Sequence, residues 1–289
     1  MDDQVITTYC LTDDFLRHIG HREPADRAVS DAEVLTVALV AARQFRGNSE
    51  AAWRFLTEFG YMRRRLTRGQ YNRRLHAAAP LAGRLFEAVA EVWKTVGTER
   101  VFAVDSMSVA CCDNARIRRS KLYPLAATGG AFRGYQASKR RYFYGLKIHV
   151  VVGVHGRPVE VHLTPGSYND TAELKNFALD LPEGSVVYGD GADVPSAAYT
   201  DYVTEDVLAE AGEVTLVADR KKDSTRPRPA WQTYLLQHYR KTVETAFGEI
   251  EKLLPKSIHA VTGRDFELKV YLFVVAWSEP ASAALPHFV

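Results

Sequence analysis

Val101-Phe-Ala-Val-Asp-Ser-Met-Ser-Val109 is an apolar run with one carboxylate, Asp105, at its centre. A run of Val, Phe and Ala this short, followed by a polar stretch, reads as a buried strand rather than a helix. A lone carboxylate in such a strand costs several kcal/mol unless a partner, hydrogen bonds or a metal offsets it. Two later stretches could supply that compensation. Ser185-Val-Val-Tyr-Gly-Asp190-Gly191 is a second buried-strand pattern with its carboxylate at the C-terminal end. Tyr239-Arg-Lys-Thr-Val-Glu244-Thr-Ala-Phe-Gly-Glu-Ile250 has helical spacing, with Val243, Phe247 and Ile250 on one stripe and Arg240 one turn before Glu244. Asp on a strand, Asp at a strand end and Glu on a helix together suggest a metal centre.

The chain has 289 residues, 46% of them apolar, enough for one large domain and a small one. No secretory signal is expected before residue 30. The apolar stretch from Val270 to Trp277 is far short of the roughly 20 residues that span a bilayer, so a cytoplasmic protein without membrane contact is expected. The three cysteines, Cys10, Cys111 and Cys112, make neither a disulfide framework nor a zinc site at ligand spacing. A phosphate loop ending in Gly-Lys-Ser/Thr is also missing, which argues against ATP-driven chemistry. Net charge is only +2, yet the cations are clustered: Arg63, Arg64, Arg65, Arg68, Arg73 and Arg74, then Arg116, Arg118, Arg119 and Lys121, then Arg133, Lys139, Arg140, Arg141 and Lys147. Concentrated positive charge suits a polyanion, because neutralised phosphates release counterions. An ordinary solvated surface is the alternative for any one cluster.

Residues 1–97 read as an all-helical N-terminal domain. Ser30-Asp-Ala-Glu33 and Thr67-Arg-Gly-Gln70 are capping boxes, the first opening a helix that ends at Gly47 and the second an Arg-rich helix that Pro80 terminates. Trp53 and Leu56 lie on a helix between them, and Leu81–Val96 reads as one more. Short helices with tight turns fit a helix-turn-helix type DNA reader, and the alternative is a bundle that packs on the next domain. After the Asp105 strand, a long Arg/Lys/Gly-rich loop carries Tyr123, Phe132 and Tyr135, aromatics that could stack on unpaired bases and clamp DNA ends. Tyr142–Val154 and Pro158–Thr164 form a hairpin that turns at His155-Gly156, with His149 and His162 as strand-face residues. Asp170 caps a helix running to Leu181, and a further helix after Pro195 runs through Ala211. Val214–Ala218 is a last short strand, and a basic, Pro-interrupted linker leads to the Glu244 helix.

Three strands, then helix, strand, helix, strand, helix is an α/β pattern of the ribonuclease H-like kind, with a mixed sheet in residues 98–277 and a tail of unassigned role at 278–289. In that fold the first and fourth strands are parallel neighbours, which would bring Asp105 and Asp190 together, with Glu244 presented from a helix across the sheet. Crowded carboxylates repel unless Mg²⁺ ions neutralise them. A pair of ions about 4 Å apart can activate an attacking oxygen and stabilise a leaving one.

With these residues in place, Asp105, Asp190 and Glu244, and Arg240 four residues before the glutamate, the chain resembles the DDE transposases of bacterial insertion sequences. The similarity is to insertion-sequence family 982, within the group that includes the Tyr-Arg-Glu-Lys signature. Val104-Asp-Ser106, Cys112-Asp-Asn-Ala-Arg-Ile-Arg-Arg119, Phe132-Arg-Gly-Tyr135, Arg141-Tyr-Phe-Tyr-Gly-Leu-Lys-Ile-His149, Leu163-Thr-Pro-Gly-Ser167, Tyr188-Gly-Asp190 and Ile258-His-Ala-Val-Thr262 carry it. The signature's tyrosine and lysine places hold Gln237 and Glu251, with Lys252 one step late, so only Arg240 and Glu244 carry over. The resemblance implies a transposase that binds double-stranded DNA, both terminal inverted repeats and target, with two Mg²⁺ ions per site, Mn²⁺ as the substitute, and a homodimer in the synaptic complex. Asp105, Asp190 and Glu244 would be both catalytic and metal-binding. Arg240, Arg119, Lys121, Lys139, Arg140, Arg141, Lys147, Arg68, Arg73 and Arg74 would bind DNA. The rivals are an inactive DNA-binding remnant and a ribonuclease H-like nuclease without strand transfer.

Overall fold

The computed structural model describes residues 2–96, 100–136, 139–168, 179–189, 214–218 and 227–279. The chain divides into two compact units, residues 1–92 with 249–289, and residues 93–248.

In the first unit, helices α1 (Asp2–His18), α2 (Asp31–Gln44), α3 (Ser49–Glu58), α4 (Arg68–Ala77) and α5 (Ala79–Val96) follow one another, α5 running on past residue 92. Helix α2 is the hub. From Asp31 to Ala42 every residue but Glu33 is buried, and α1, α3 and α4 all pack against it, as does the C-terminal helix α8 (Gly263–Ser278). A helix buried on all sides must be enclosed by others, which is why four helices gather round it. Both capping boxes form: Ser30 and Thr67 accept from the backbone N–H of Glu33 and Gln70, whose side chains accept from the Ser30 and Thr67 N–H. As expected, two helices meet near Pro80, with the break two residues earlier at Ala78. Pro80 itself lies in the first turn of α5, where its missing N–H has no intrahelical acceptor to satisfy.

Helix α8 buries Phe266, Val270, Phe273, Val274, Val275 and Trp277. Residues 249–279 therefore belong with the N-terminal helices, and the compact units differ from the sequence boundaries drawn at 97 and 277. Glu279, just beyond α8, is buried too. Its Oε2 accepts from Thr8 Oγ1 at 3.0 Å, and Arg43 donates to the carbonyl oxygens of Ala276 at 2.7 Å and Glu279 at 3.2 Å. The remaining tail, from residue 280, lies outside the described residues.

The second unit is built on a six-stranded sheet. Its strands are β1 (Val101–Cys112), β2 (Arg133–Gln136), β3 (Arg141–Gly153), β4 (Pro158–Pro165), β5 (Ser185–Gly189) and β6 (Val214–Ala218). The order is β2-β3-β1-β5-β6, with β4 also paired to β3. β1 and β3 are antiparallel, as are β3 and β4, whereas β1–β5 and β5–β6 are parallel. This mixed α/β arrangement is consistent with the ribonuclease H-like expectation. β3 is buried from Phe143 to Val152 except at Lys147, as an inner strand covered on both faces must be. His149 on β3 sits opposite His162 on β4 and meets Thr164 Oγ1 at 2.7 Å, a buried strand-face pairing.

The stretch expected as one long loop contains structure. A 3₁₀ turn (Asn114–Arg119), a short helix α6 (Leu125–Thr128) and strand β2 lie within it. Glycines explain how β2 packs: a Cβ on Gly134 would collide with the Gly166 carbonyl oxygen and the Phe143 ring, and one on Gly145 with the Val109 carbonyl oxygen. The helices expected at 170–181 and after Pro195 fall largely outside the described residues, as does Asp170. Helix α7 (Ala230–Leu253), whose residues from Glu249 on belong to the first unit, buries Leu236, Val243, Ala246 and Ile250 along one stripe, while Phe247 is only half-buried. No helix among the described residues is long and apolar enough to cross a membrane.

Burial pushes the Glu279 carboxyl up to about 7, with Arg43 and the Thr8 hydrogen bond opposing the shift. The folded value exceeds the unfolded one, so the penalty is absent below the unfolded value of about 4.5 and grows as pH rises to about 7. Glu279→Gln should match wild type in urea unfolding at pH 4 and exceed it at pH 8 by on the order of 2 kcal/mol. Equal stabilities at both pH values would show that Glu279 ionises without penalty.

Candidate functional site

Asp105 lies near the middle of β1, half-buried, between buried Val104 and half-buried Ser106. Its main chain pairs with Val150 of β3, and its Oδ1 accepts from the Ser106 backbone N–H at 2.7 Å. On the other edge β1 pairs in parallel with β5 through Val101↔Val186, Phe102↔Val187, Ala103↔Tyr188 and Val104↔Gly189. Gly189 packs closely there, since an added Cβ would lie 3.0 Å from Val104 Cγ1. The paired residues Val104 and Gly189 each immediately precede a site carboxylate in the sequence. Asp190 itself lies outside the described residues.

Helix α7 and the residues just before it are tied to the same end of the sheet at two points. Arg228 Nε donates to the carbonyl oxygen of Ala218, the last residue of β6, at 2.8 Å. The Tyr239 ring stacks on Tyr188 of β5, with centroids 4.8 Å apart and planes 23° from parallel. Burial, and then the Tyr239 phenol, push the Tyr188 hydroxyl above its ordinary range, with Arg228 opposing. Tyr188 precedes Asp190 by two residues, and Tyr239 immediately precedes Arg240. One turn further on, Glu244 projects with 64% of its side chain exposed, 3.9 Å from Arg240 Nε. That pair is loose and wet, so it adds little stability and leaves the carboxylate open to a ligand. Sequence reading assigned no part to Tyr188 or Tyr239, although their positions beside Asp190 and Arg240 were available as a signal.

Asp105 and Glu244 offer only oxygen donors, the chemistry that suits hard divalent cations such as Mg²⁺ and Mn²⁺ rather than zinc or copper. Among the described residues the acid and histidine group whose ligand atoms gather is a different one, His21, Glu23 and Asp31 of the first unit. Two arginines occupy it. Arg27 donates both to Asp31 Oδ1 at 2.9 Å and to Oδ2 at 2.8 Å, and Arg74 donates to Asp31 and, at 3.5 Å, to Glu23. Burial raises the Asp31 carboxyl, but hydrogen bonds from Arg74 and His21 and the charges of Arg74 and Arg27 outweigh it and hold it below the usual range. Carboxylates already neutralised by guanidinium groups form a structural ion-pair knot.

The basic residues divide by environment. Arg68 and Arg73 are exposed on α4. Arg74, expected to contact DNA, is half-buried with its guanidinium on Asp31 and the Val29 carbonyl oxygen, since an Arg in such a position needs an anion beside it. Arg119, Lys121, Lys139, Arg140 and Arg141 are exposed, whereas Lys147 is half-buried and donates to the Tyr168 carbonyl oxygen at 2.9 Å. Tyr123 is buried against Phe132, with ring centroids 3.7 Å apart, so neither is a free stacking surface.

A family model described as the transposase DDE domain matches residues 97–278, well over half of the 289. No curated protein and no solved structure matches the chain.

If the Tyr188–Tyr239 stack fastens α7 to β5, a double-mutant cycle of Tyr188→Leu and Tyr239→Leu should give a coupling energy near 1 kcal/mol, roughly that of a packed aromatic pair. Purely additive effects in thermal unfolding would mean that the rings are neighbours without being a fastening.

Proposed function

The chain belongs to the family of transposase DDE domains, and from that premise we propose that it is the transposase of an insertion sequence, one akin to family 982. It binds terminal inverted repeats, cleaves the DNA strand at the element's end and transfers the freed 3′-hydroxyl into target DNA. The observation that carries the reading is the parallel register Val104↔Gly189, which supports Asp105 and Asp190 emerging side by side from adjacent strands. The Tyr188–Tyr239 stack supports Glu244 reaching the same end from α7.

Asp105, Asp190 and Glu244 are the residues that would hold Mg²⁺ or Mn²⁺, two ions per site. When bound, such ions lower the pKa of an attacking water or 3′-hydroxyl and stabilise the leaving oxygen. The chain's own residues do the rest. Arg240, one turn from Glu244, presents a planar fork of donors to a DNA phosphate beside the carboxylates. Arg119, Lys121, Lys139, Arg140 and Arg141 supply exposed positive charge along the second unit, with Lys147 bound to the backbone beneath. Arg68 and Arg73, on a helix whose Arg74 is anchored internally, form the exposed face offered to the terminal repeats. Both ends of an element must be cut and joined together, so the working species is a homodimer on DNA, acting in the cytoplasm.

A Mg²⁺-dependent cleavage and joining assay on the element's own ends tests this. Asp105→Ala and Glu244→Ala should each lower both products by at least about 10²-fold while leaving duplex binding intact, as expected when charge-stabilising groups are removed from a reaction centre. Nicked products without joined ones would identify a nuclease that lacks strand transfer. Activity unchanged in both variants would remove the carboxylate centre altogether.

A further inference from the structure

Beside the cations already assigned to DNA, the second unit carries an exposed aromatic surface that the proposed strand cleavage does not use. β2 and β3 pair in the register Arg133↔Tyr144, Gly134↔Phe143, Tyr135↔Tyr142 and Gln136↔Arg141. Tyr135 and Tyr142 are direct cross-strand partners, so their side chains share a face of the ribbon. Both remain in water, 52% and 53% exposed, with ring centroids 5.0 Å apart and planes inclined at 59°. Arg133, two residues before Tyr135 on the same face, places its guanidinium carbon 4.8 Å from the Tyr142 ring centroid. Lys139, Arg140 and Arg141 stand exposed where the chain returns from β2 into β3.

The base under this face is rigid. Gly134 leaves no room for a side chain against Gly166 and Phe143, the Phe132 carbonyl oxygen accepts from the Gly145 N–H at 2.8 Å, and Phe132 itself is stacked on buried Tyr123. Two exposed rings, a guanidinium lying on one of them and flanking cations thus form a preorganised platform. Its chemistry matches a planar aromatic group carried on a polyanion. In duplex DNA the base faces are already stacked on each other, so the matching ligand is an unpaired base.

We propose that Tyr135, Tyr142 and Arg133 form a stacking platform for unpaired nucleobases at an opened DNA end, with Arg141 and its neighbours holding the adjoining phosphates. The proposal rests on the DNA-transposase reading and adds to it that a few nucleotides at the end are single-stranded when bound. Aromatic platforms of this kind are tolerant of sequence, because every base has a π-face.

The test uses the full-length chain, without metal so that no cleavage occurs. Binding is measured by fluorescence anisotropy to a blunt duplex and to the same duplex with a short 3′ overhang containing 2-aminopurine. Wild type should quench 2-aminopurine and prefer the overhang. Tyr142→Ala and Tyr135→Ala should each weaken overhang binding by about tenfold or more, with blunt-duplex affinity held within about twofold, since stacking and backbone charge contribute separately. Tyr142→Phe, which keeps the ring, should behave as wild type, and unchanged thermal unfolding would show that the hairpin is intact. Three results would overturn the platform: no quenching by wild type, no loss in either alanine variant, or equal losses on both DNAs. The joining assay separates this from the parent reading. Tyrosine-dependent overhang binding without strand transfer leaves the platform standing and removes the transposase, whereas strand transfer without tyrosine dependence removes only the platform.

Discussion

A carboxylate placed in an inner strand constrains everything around it. Asp105 follows buried Val104, on a strand with β3 on one side and β5 on the other. Neither neighbour can move away without breaking the ladder, so whatever compensates the charge must come from the ends of adjacent strands or from an element packed over them. Two elements lie on that side: β5, paired in parallel with β1, and α7, whose Tyr239 stacks on Tyr188 of β5. Gly189 lies close against Val104 where the two strands pair.

The two units solve different problems with the same economy of contacts. In the first, α2 is buried on all sides and is enclosed by α1, α3, α4 and α8, so chain from both ends of the sequence builds one core. Arg74 is held on the inner side of α4 by Asp31 and the Val29 carbonyl, and exposed Arg68 and Arg73 stay on the outer side. In the second, close glycine contacts and the Tyr123–Phe132 stack fix a hairpin whose outer face remains aromatic and basic.

Much of this was legible in the letters. Capping boxes at Ser30 and Thr67 depend on residues three apart, and both formed. The strand at Val101, the hairpin turning at Gly156 and the strand ending at Gly189 follow from apolar runs bounded by turn residues. What sequence could not supply depended on distant partners. Strand β2 is only four residues long and exists because β3 lends it an edge, so its local signal was that of a loop. Arg74 looked like its arginine neighbours until Asp31, more than forty positions earlier, was placed beside it. Helix α8 follows the Glu244 helix in order, yet its large apolar side chains complete the helical unit. Asp105 and Glu244 were named from their carriers alone, whereas the tyrosines fastening α7 emerged only when strand and helix met.

The most direct test of the central claim, that three carboxylates distant in sequence grip one metal centre, is iron-directed cleavage of the polypeptide. Fe²⁺ would replace Mg²⁺ in the intact chain, with ascorbate and peroxide generating radicals at the bound ion. Fragment ends should cluster around residues 105, 190 and 244 together, and Mg²⁺ should compete them away in parallel. Cuts confined to one of these positions, or centred instead on His21 and Asp31, would contradict the account.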